Sequence, residues 1–218
     1  MPLSKTLYPI PSAEVRCEIR VANSRFIASL NQAKTTEEAR EFISHIKAEF
    51  KDATHNVPVF IIGHGESMTA HCSDAGEPTG TAGRPALAVL QGSGLGDVVM
   101  VISRFFGGTK LGTGGLVRAY SDAARAVLEK VDRSMRVLTD TILLSFPYTY
   151  LERFRRISAA CDAVVLHENF GVDVTITARL RVEDSSAFKA QVVELTSGTV
   201  LAEIIETTEV LMPWPVPK

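Results

Sequence analysis

Two short stretches concentrate the residues that could do chemistry. The first, SDAGEPTGTAGRP, runs from Ser73 to Pro85; it sets the carboxylates of Asp74 and Glu77 among small residues and ends on Arg84. The second, RFFGGTKLGTGGLVRAY, runs from Arg104 to Tyr120 and places cations, Arg104, Lys110 and Arg118, around Gly107, Gly108, Gly112, Gly114 and Gly115. Most of the 15 glycines of the chain fall between Gly76 and Gly115. A backbone without Cβ atoms turns tightly and approaches a partner closely. A GTGG run directly before a helix leaves N–H groups unpaired, and the helix dipole adds partial positive charge there. With Arg84, Arg104, Lys110 and Arg118 around it, this predicts an anion site with phosphate as its natural guest. The competing reading is that the glycines only shape a strand-to-helix turn and that Arg118 pairs with Asp122 one turn on. The named phosphate motifs do not match: Gly107 and Gly112 have P-loop spacing, but Thr113 and Gly114 stand where Lys and Ser/Thr are required. GTGGLV lacks the third glycine of a dinucleotide fingerprint.

Asp74 and Glu77 are close enough in sequence to share a metal ion or a proton, with His55, His64, His71 and Cys72 nearby. No helical HExxH spacing and no cysteine pair accompany them, so neither a metal nor a cofactor is expected. As catalytic residues, Asp74 and Glu77 lack a visible nucleophile and orienting partner. A carboxylate in a glycine loop more simply accepts backbone N–H bonds and holds the loop's shape. His55, in DATHNVP, is a further candidate for a phosphate or base contact, against a structural role before a strand. Phe105 and Phe106 alternate across a strand end, so one belongs to the core and the other, with Phe106 the candidate, could stack on a base.

The elements that must position these residues follow from hydrophobic periodicity. Val15–Val21 and Arg25–Leu30 predict a hairpin. TTEEAREFISHIKAEF predicts a helix opened by a Thr35/Glu38 capping box and buried along Ala39, Phe42, Ile43, Ile46 and Phe50. Val57–Gly63 reads as a strand, followed by a long loop to Pro85 and a short helix in PALAVLQGSG. Asp97–Phe106 is a continuous apolar run suited to a central strand, and a helix starting at Leu116 buries Ala119, Tyr120, Ala123 and Val127. The polar segment Arg133–Asp140 reads as a domain boundary. Beyond it come a strand (Ile142–Tyr148), a helix (Tyr150–Cys161), strands (Val164–Glu168 and Val172–Val182), a helix (Ser185–Leu195) and a strand (Leu201–Val210). VDVTITARLRV alternates, implying an antiparallel sheet with helices on one face. The order βαββαβ is that of a ferredoxin-like domain. The class is α+β, with domains at 1–136 and 137–212 and a frayed, extended tail at 213–218.

Bulk properties exclude several classes. The chain has 218 residues, 45% hydrophobic and 22% charged, as folded globular proteins do. Its net charge of −2, slightly positive up to Arg136 and negative beyond, excludes a polybasic protein. Any nucleic-acid contact needs a local patch, and no DNA sequence specificity is implied. Cys17, Cys72 and Cys161 are odd in number and far apart, the pattern of reduced thiols in a cytoplasmic protein. MPLSKTLYPIPSAEVR lacks an apolar core, so no signal peptide is expected, and no apolar run is long enough to predict a membrane span. The outer face of the second sheet offers Thr175, Thr177, Arg179 and Arg181 without an aromatic, so base stacking is not expected there.

At the two glycine motifs the sequence resembles the IMPACT family, including its bacterial YigZ-type members. SRFIASL and ATHNV add to the match, which covers about Ser24 to Glu129. The C-terminal segment is similar to the appended bacterial domain, itself like a ferredoxin-like domain of elongation factor G. The resemblance implies a first domain folded like the second domain of ribosomal protein S5, a fold also found in GHMP-type kinases. It implies a role in translation control, or binding of RNA or a ribosome-associated partner; the residues themselves read as a non-enzymatic binding module. Two alternatives stay open: an enzyme of a phosphorylated small molecule using Asp74 or Glu77 as acid, base or Mg²⁺ ligand, and a protein–protein adaptor.

Overall fold

The computed structural model of the chain describes residues 7–215. The elements are β1 (Ile10–Pro11), β2 (Val15–Val21), β3 (Ser24–Gln32), α1 (Thr36–Glu49), β4 (His55–Ile62), β5 (Thr69–Cys72), α2 (Gly83–Gly92), β6 (Val98–Phe105), α3 (Gly112–Leu128), β7 (Arg133–Phe146), α4 (Leu151–Ala160), β8 (Val164–Phe170), β9 (Val174–Arg181), α5 (Val182–Thr196) and β10 (Glu203–Pro213). The chain forms two compact units: one reaches Met135 and takes in the chain from Pro213, the other is Arg136–Met212.

In the first unit an antiparallel sheet, ordered β2-β3-β6-β4-β5, has β6 at its centre. Both faces of β6 are covered, which explains its unbroken apolar run. Val98, Met100 and Ile102 pack with Leu90 of α2 and Leu116, Ala119 and Tyr120 of α3. Val99 and Val101 pack on the opposite side with Ala39, Ile43 and Ile46 of α1. The expected cap of α1 is present: Thr35 accepts from the Glu38 N–H at 3.1 Å. The Glu38 carboxylate reaches back to the Lys34 N–H, one residue before the cap.

The second unit has the element order β7-α4-β8-β9-α5-β10 and the sheet order β10-β7-β9-β8. Ile142, Leu144 and Phe146 face Ala178, Ile176 and Val174, and Phe154 of α4 and Phe188 of α5 cover this face. Phe146 and Phe154 stack with centroids 3.9 Å apart.

Several expectations need correction. The boundary read at Arg133–Asp140 falls where the two units divide, between Met135 and Arg136, but the chain passes it as strand: the segment is the first half of β7, with Ile10 and Pro11 paired to Ser134 and Arg133. Ser134, Thr139 and Asp140 are buried there together with Met135 and Val137, so polarity in this segment does not mark exposure. The long loop after Gly63 contains β5 and a single 3₁₀ turn at Gly65–Ser67. The tail is anchored at its start, since β10 reaches Pro213 and the Trp214 N–H donates to the Arg133 carbonyl. The ends of the leader and tail readings, 1–6 and 216–218, lie outside the described residues.

Candidate functional site

Strand β6 carries the site to one end of the first sheet. Side chains alternate along it, so Arg104 continues the row of Val98, Met100 and Ile102 that faces α2 and α3. In register beside Arg104 are Phe26 of β3 and His55 of β4. The chain leaving β5 passes this end, so Asp74 and Glu77 arrive next to His55. Both α2 and α3 start here. The two glycine motifs, separate in sequence, thus meet at one edge.

Glu77 is the hub. Its side chain is 3% exposed, and its Oε1 accepts from Arg104 Nη1 at 2.7 Å and from the Tyr120 hydroxyl at 2.8 Å. His55 lies alongside, Nε2 at 3.8 Å from Oε2, while its Nδ1 is 2.9 Å from the Ala75 carbonyl oxygen. Burial, then the charge of Glu77, pushes the Tyr120 hydroxyl far above the ordinary tyrosine range, so it stays a donor. The Arg104 guanidinium carbon lies 5.6 Å from the ring centroids of both Phe26 and Phe106. A charge at this depth is tolerated because it is paired and hydrogen-bonded.

Asp74 shapes the neighbouring loop. Oδ2 accepts from the Gly80 N–H at 2.8 Å; Oδ1 accepts from Gly83 at 2.8 Å and Ala82 at 3.1 Å. The Ala82 and Gly83 amides open α2, whose cap residue Ala82 has no side-chain oxygen of its own. Burial works to raise the Asp74 pKa, but the Gly80, Gly83 and Ala82 amides together outweigh it and hold it below the ordinary value, with Arg84 adding to them.

These contacts revise the roles expected from sequence. Arg104 is an internal ion-pair partner, 5% exposed, rather than a phosphate contact. Glu77 is enclosed and bonded to Arg104 and Tyr120, while the half-buried Asp74 accepts three backbone amides. No group of three or more His, Cys, Asp or Glu among the described residues could hold a metal ion. His55 buttresses the Ala75–Glu77 turn. Sequence reading placed Tyr120 in the core but missed its hydroxyl contact; the signal was a polar-tipped ring in the apolar stripe of α3, which packs on the β6 row that Arg104 continues.

Arg84, Lys110 and Arg118 are exposed at or near this edge. Arg118 Nε lies 3.8 Å from Asp122, as the plainer reading expected. Helix α3 starts at Gly112 rather than Leu116, so Thr113, Gly114 and Gly115 form its first turn, and no side chain caps it. Most of the glycines have local reasons. Gly107 presses on the Asn23 backbone, where a Cβ would overlap it. Gly108 and Gly112 have φ of +86° and +71°, and a Cβ on Gly115 would meet Leu111 at 3.0 Å. Gly114 differs: it is helical, and a Cβ there would meet nothing within 4 Å.

No helix among the described residues is long and apolar enough to cross a membrane. The model of the Impact N-terminal domain matches residues 22–128, which hold the whole site, and that of a domain of unknown function (DUF1949) matches 144–199. An IMPACT family member of Haemophilus influenzae is 32% identical over 203 residues, covering 93% of this chain and 98% of the relative. YigZ of Escherichia coli is 31% identical, over 90% of this chain and 97% of its own. YvyE of Bacillus subtilis is 35% identical, over 83% of each. A solved structure titled as a hypothetical protein superposes with a TM-score of 0.61 at 31% identity, covering 92% of this chain and 98% of that one. This is therefore a two-domain protein of mixed α and β structure that belongs to the IMPACT family.

Proposed function

We propose that the protein is a non-enzymatic, translation-associated binding protein that engages RNA, free or in the ribosome, through the glycine-rich edge of its first unit. The observation that carries this reading is the first turn of α3: it is exposed, uncapped by any side chain, and holds Gly114, whose missing Cβ relieves no contact. Glycine in a helix is unfavourable by about 0.8–1.0 kcal/mol relative to alanine, so a glycine without a packing reason suits a surface that something must approach. Lys110 and Arg84 add exposed positive charge on either motif. The enclosed Glu77 and the amide-bound Asp74 weigh against the enzyme reading, because acid, base and Mg²⁺ roles would need them free. Such a role places the protein in the cytoplasm.

The finer fold readings belong to this proposal. The βαββαβ order and the strand order β10-β7-β9-β8 of the second unit support a ferredoxin-like domain. The sheet of the first unit, with α2 and α3 on one face and α1 on the other, supports likeness to the second domain of ribosomal protein S5.

The test is fluorescence anisotropy with a labelled single-stranded RNA between about 50 and 200 mM salt. Binding that weakens steeply with salt supports the reading. No binding, or binding indifferent to salt, refutes it, and a nuclease-resistant protein partner captured in its place would favour an adaptor.

A further inference from the structure

Phe106 stands where β6 leaves the sheet, and 47% of it is exposed. Its backbone is fixed on both sides. The Phe106 N–H donates to Thr54 Oγ1 at 3.1 Å, and the Gly107 N–H donates to Ser24 Oγ at 3.2 Å. Gly107 is pressed against the Asn23 backbone, so this strand end has little room to shift. The guanidinium of Arg104 lies 5.6 Å from the Phe106 centroid, and Glu77 holds that guanidinium in place.

The neighbouring aromatics are used differently. Phe105 packs edge-on to Phe50 at 6.2 Å and lies under Arg25. Phe26 packs edge-on to Tyr120 at 5.2 Å. Phe106 has no ring partner among the described residues, and the exposed Lys110 follows it four residues on. An aromatic ring on a rigid support, with an uncommitted cation a few residues along the same loop, is suited to hold a nucleobase by its face and the backbone by its phosphates. Stacking needs a free base face, which a single strand has and a duplex does not.

We infer that Phe106 is a stacking platform for a base of single-stranded RNA, with Lys110 and the first turn of α3 meeting the adjoining phosphates. This rests on the RNA-binding reading above and narrows it: single strands bind in preference to duplexes, whatever their sequence, because every unpaired base offers a face to stack. Arg104 is a positioning residue that backs the ring from inside the fold.

The test compares three probes: short oligo(A), the oligo(A)·oligo(U) duplex, and inorganic polyphosphate, which has the phosphates without bases. Wild-type protein should bind oligo(A) more tightly than the duplex. Phe106→Ala should weaken oligo(A) roughly 5- to 160-fold, the span of stacking on one side chain, and leave polyphosphate binding unchanged. Phe106→Tyr keeps the ring and should keep the affinity. The inference is overturned if Phe106→Ala binds oligo(A) like wild type. It is also overturned if Phe106→Tyr loses as much as Phe106→Ala, or if polyphosphate binding falls in step with oligo(A). Should wild type bind neither oligo(A) nor polyphosphate, the RNA-binding reading fails with it. Should it bind both, with no response to Phe106→Ala, stacking alone fails.

Discussion

Arg104 Nη1 donates to Glu77 Oε1 at 2.7 Å, with the two side chains 7% and 3% exposed. The pair joins a central strand to a loop 27 residues earlier. Each charge was removed from water on folding, so each depends on the other remaining.

Glu77→Ala would therefore strand a buried guanidinium and the Tyr120 hydroxyl together. Removing one partner of a buried pair typically destabilises by about 3–5 kcal/mol, whereas an apolar pair of similar volume is often neutral or better. Urea unfolding should show a loss in that range for Glu77→Ala and a smaller one for Glu77→Leu combined with Arg104→Met. If the double variant proves the less stable of the two, the pair is not the unit of stability described here.

Asp74 gives the site a signature on the acid side. Its folded pKa is depressed, so its contribution is fully present above the unfolded value, about 3.9, and is lost as pH falls through the lower folded value. Between these limits the unfolded chain binds more protons, so stability rises with pH. Asp74→Asn should flatten that part of the stability–pH curve and lower stability at neutral pH. Asp74→Ala, which also removes the acceptor for the opening amides of α2, should lose about 1–2 kcal/mol at neutral pH. Thermal melts from acid to neutral pH measure both.

Two glycines of one motif should respond in opposite directions. Gly107→Ala puts a methyl into the Asn23 backbone, which has no flexible end to yield, and should destabilise by about 1–3 kcal/mol or more. Gly114→Ala meets nothing and gains helix propensity, so the melting temperature should rise by the equivalent of a few tenths to about 1 kcal/mol. The same methyl stands where phosphate is to approach α3, so RNA affinity should fall. A variant both less stable and unaltered in binding would remove Gly114 from the surface proposed.

These contrasts mark what the sequence could and could not disclose. The α1 cap and the rows of β6 and β9 were legible because each is written in residues a few places apart, as Thr35 and Glu38 are. The place of Arg104 was legible in principle, since it extends the alternating row of Val98, Met100 and Ile102; its charge drew it to the anion site instead. The meeting with Glu77 was not, because no local pattern records which loop closes over a strand end. At Arg133–Asp140 the division was legible but the strand was not, since its partners Ile10 and Pro11 lie more than a hundred residues away. The glycines misled in a different way. Motif reading treated five as one feature, whereas close approach to Asn23, two positive φ angles and a contact with Leu111 account for four of them.

Lys110 separates electrostatic binding from fold. It is exposed and forms no hydrogen bond or ion pair among the described residues, so Lys110→Ala should leave the melting temperature unchanged. A lysine that neutralises one phosphate of a single strand contributes about 0.7 to the slope of log K against log salt. The slope of Lys110→Ala should be shallower by about that amount, and its affinity should approach wild type as salt rises. Arg118→Ala should change the slope less, because Asp122, 3.8 Å away, already offsets part of that charge. Arg104→Met should chiefly lower stability, since its cation is spent on Glu77 inside the fold. Equal slopes for Lys110→Ala and wild type would move the phosphate contact away from this edge.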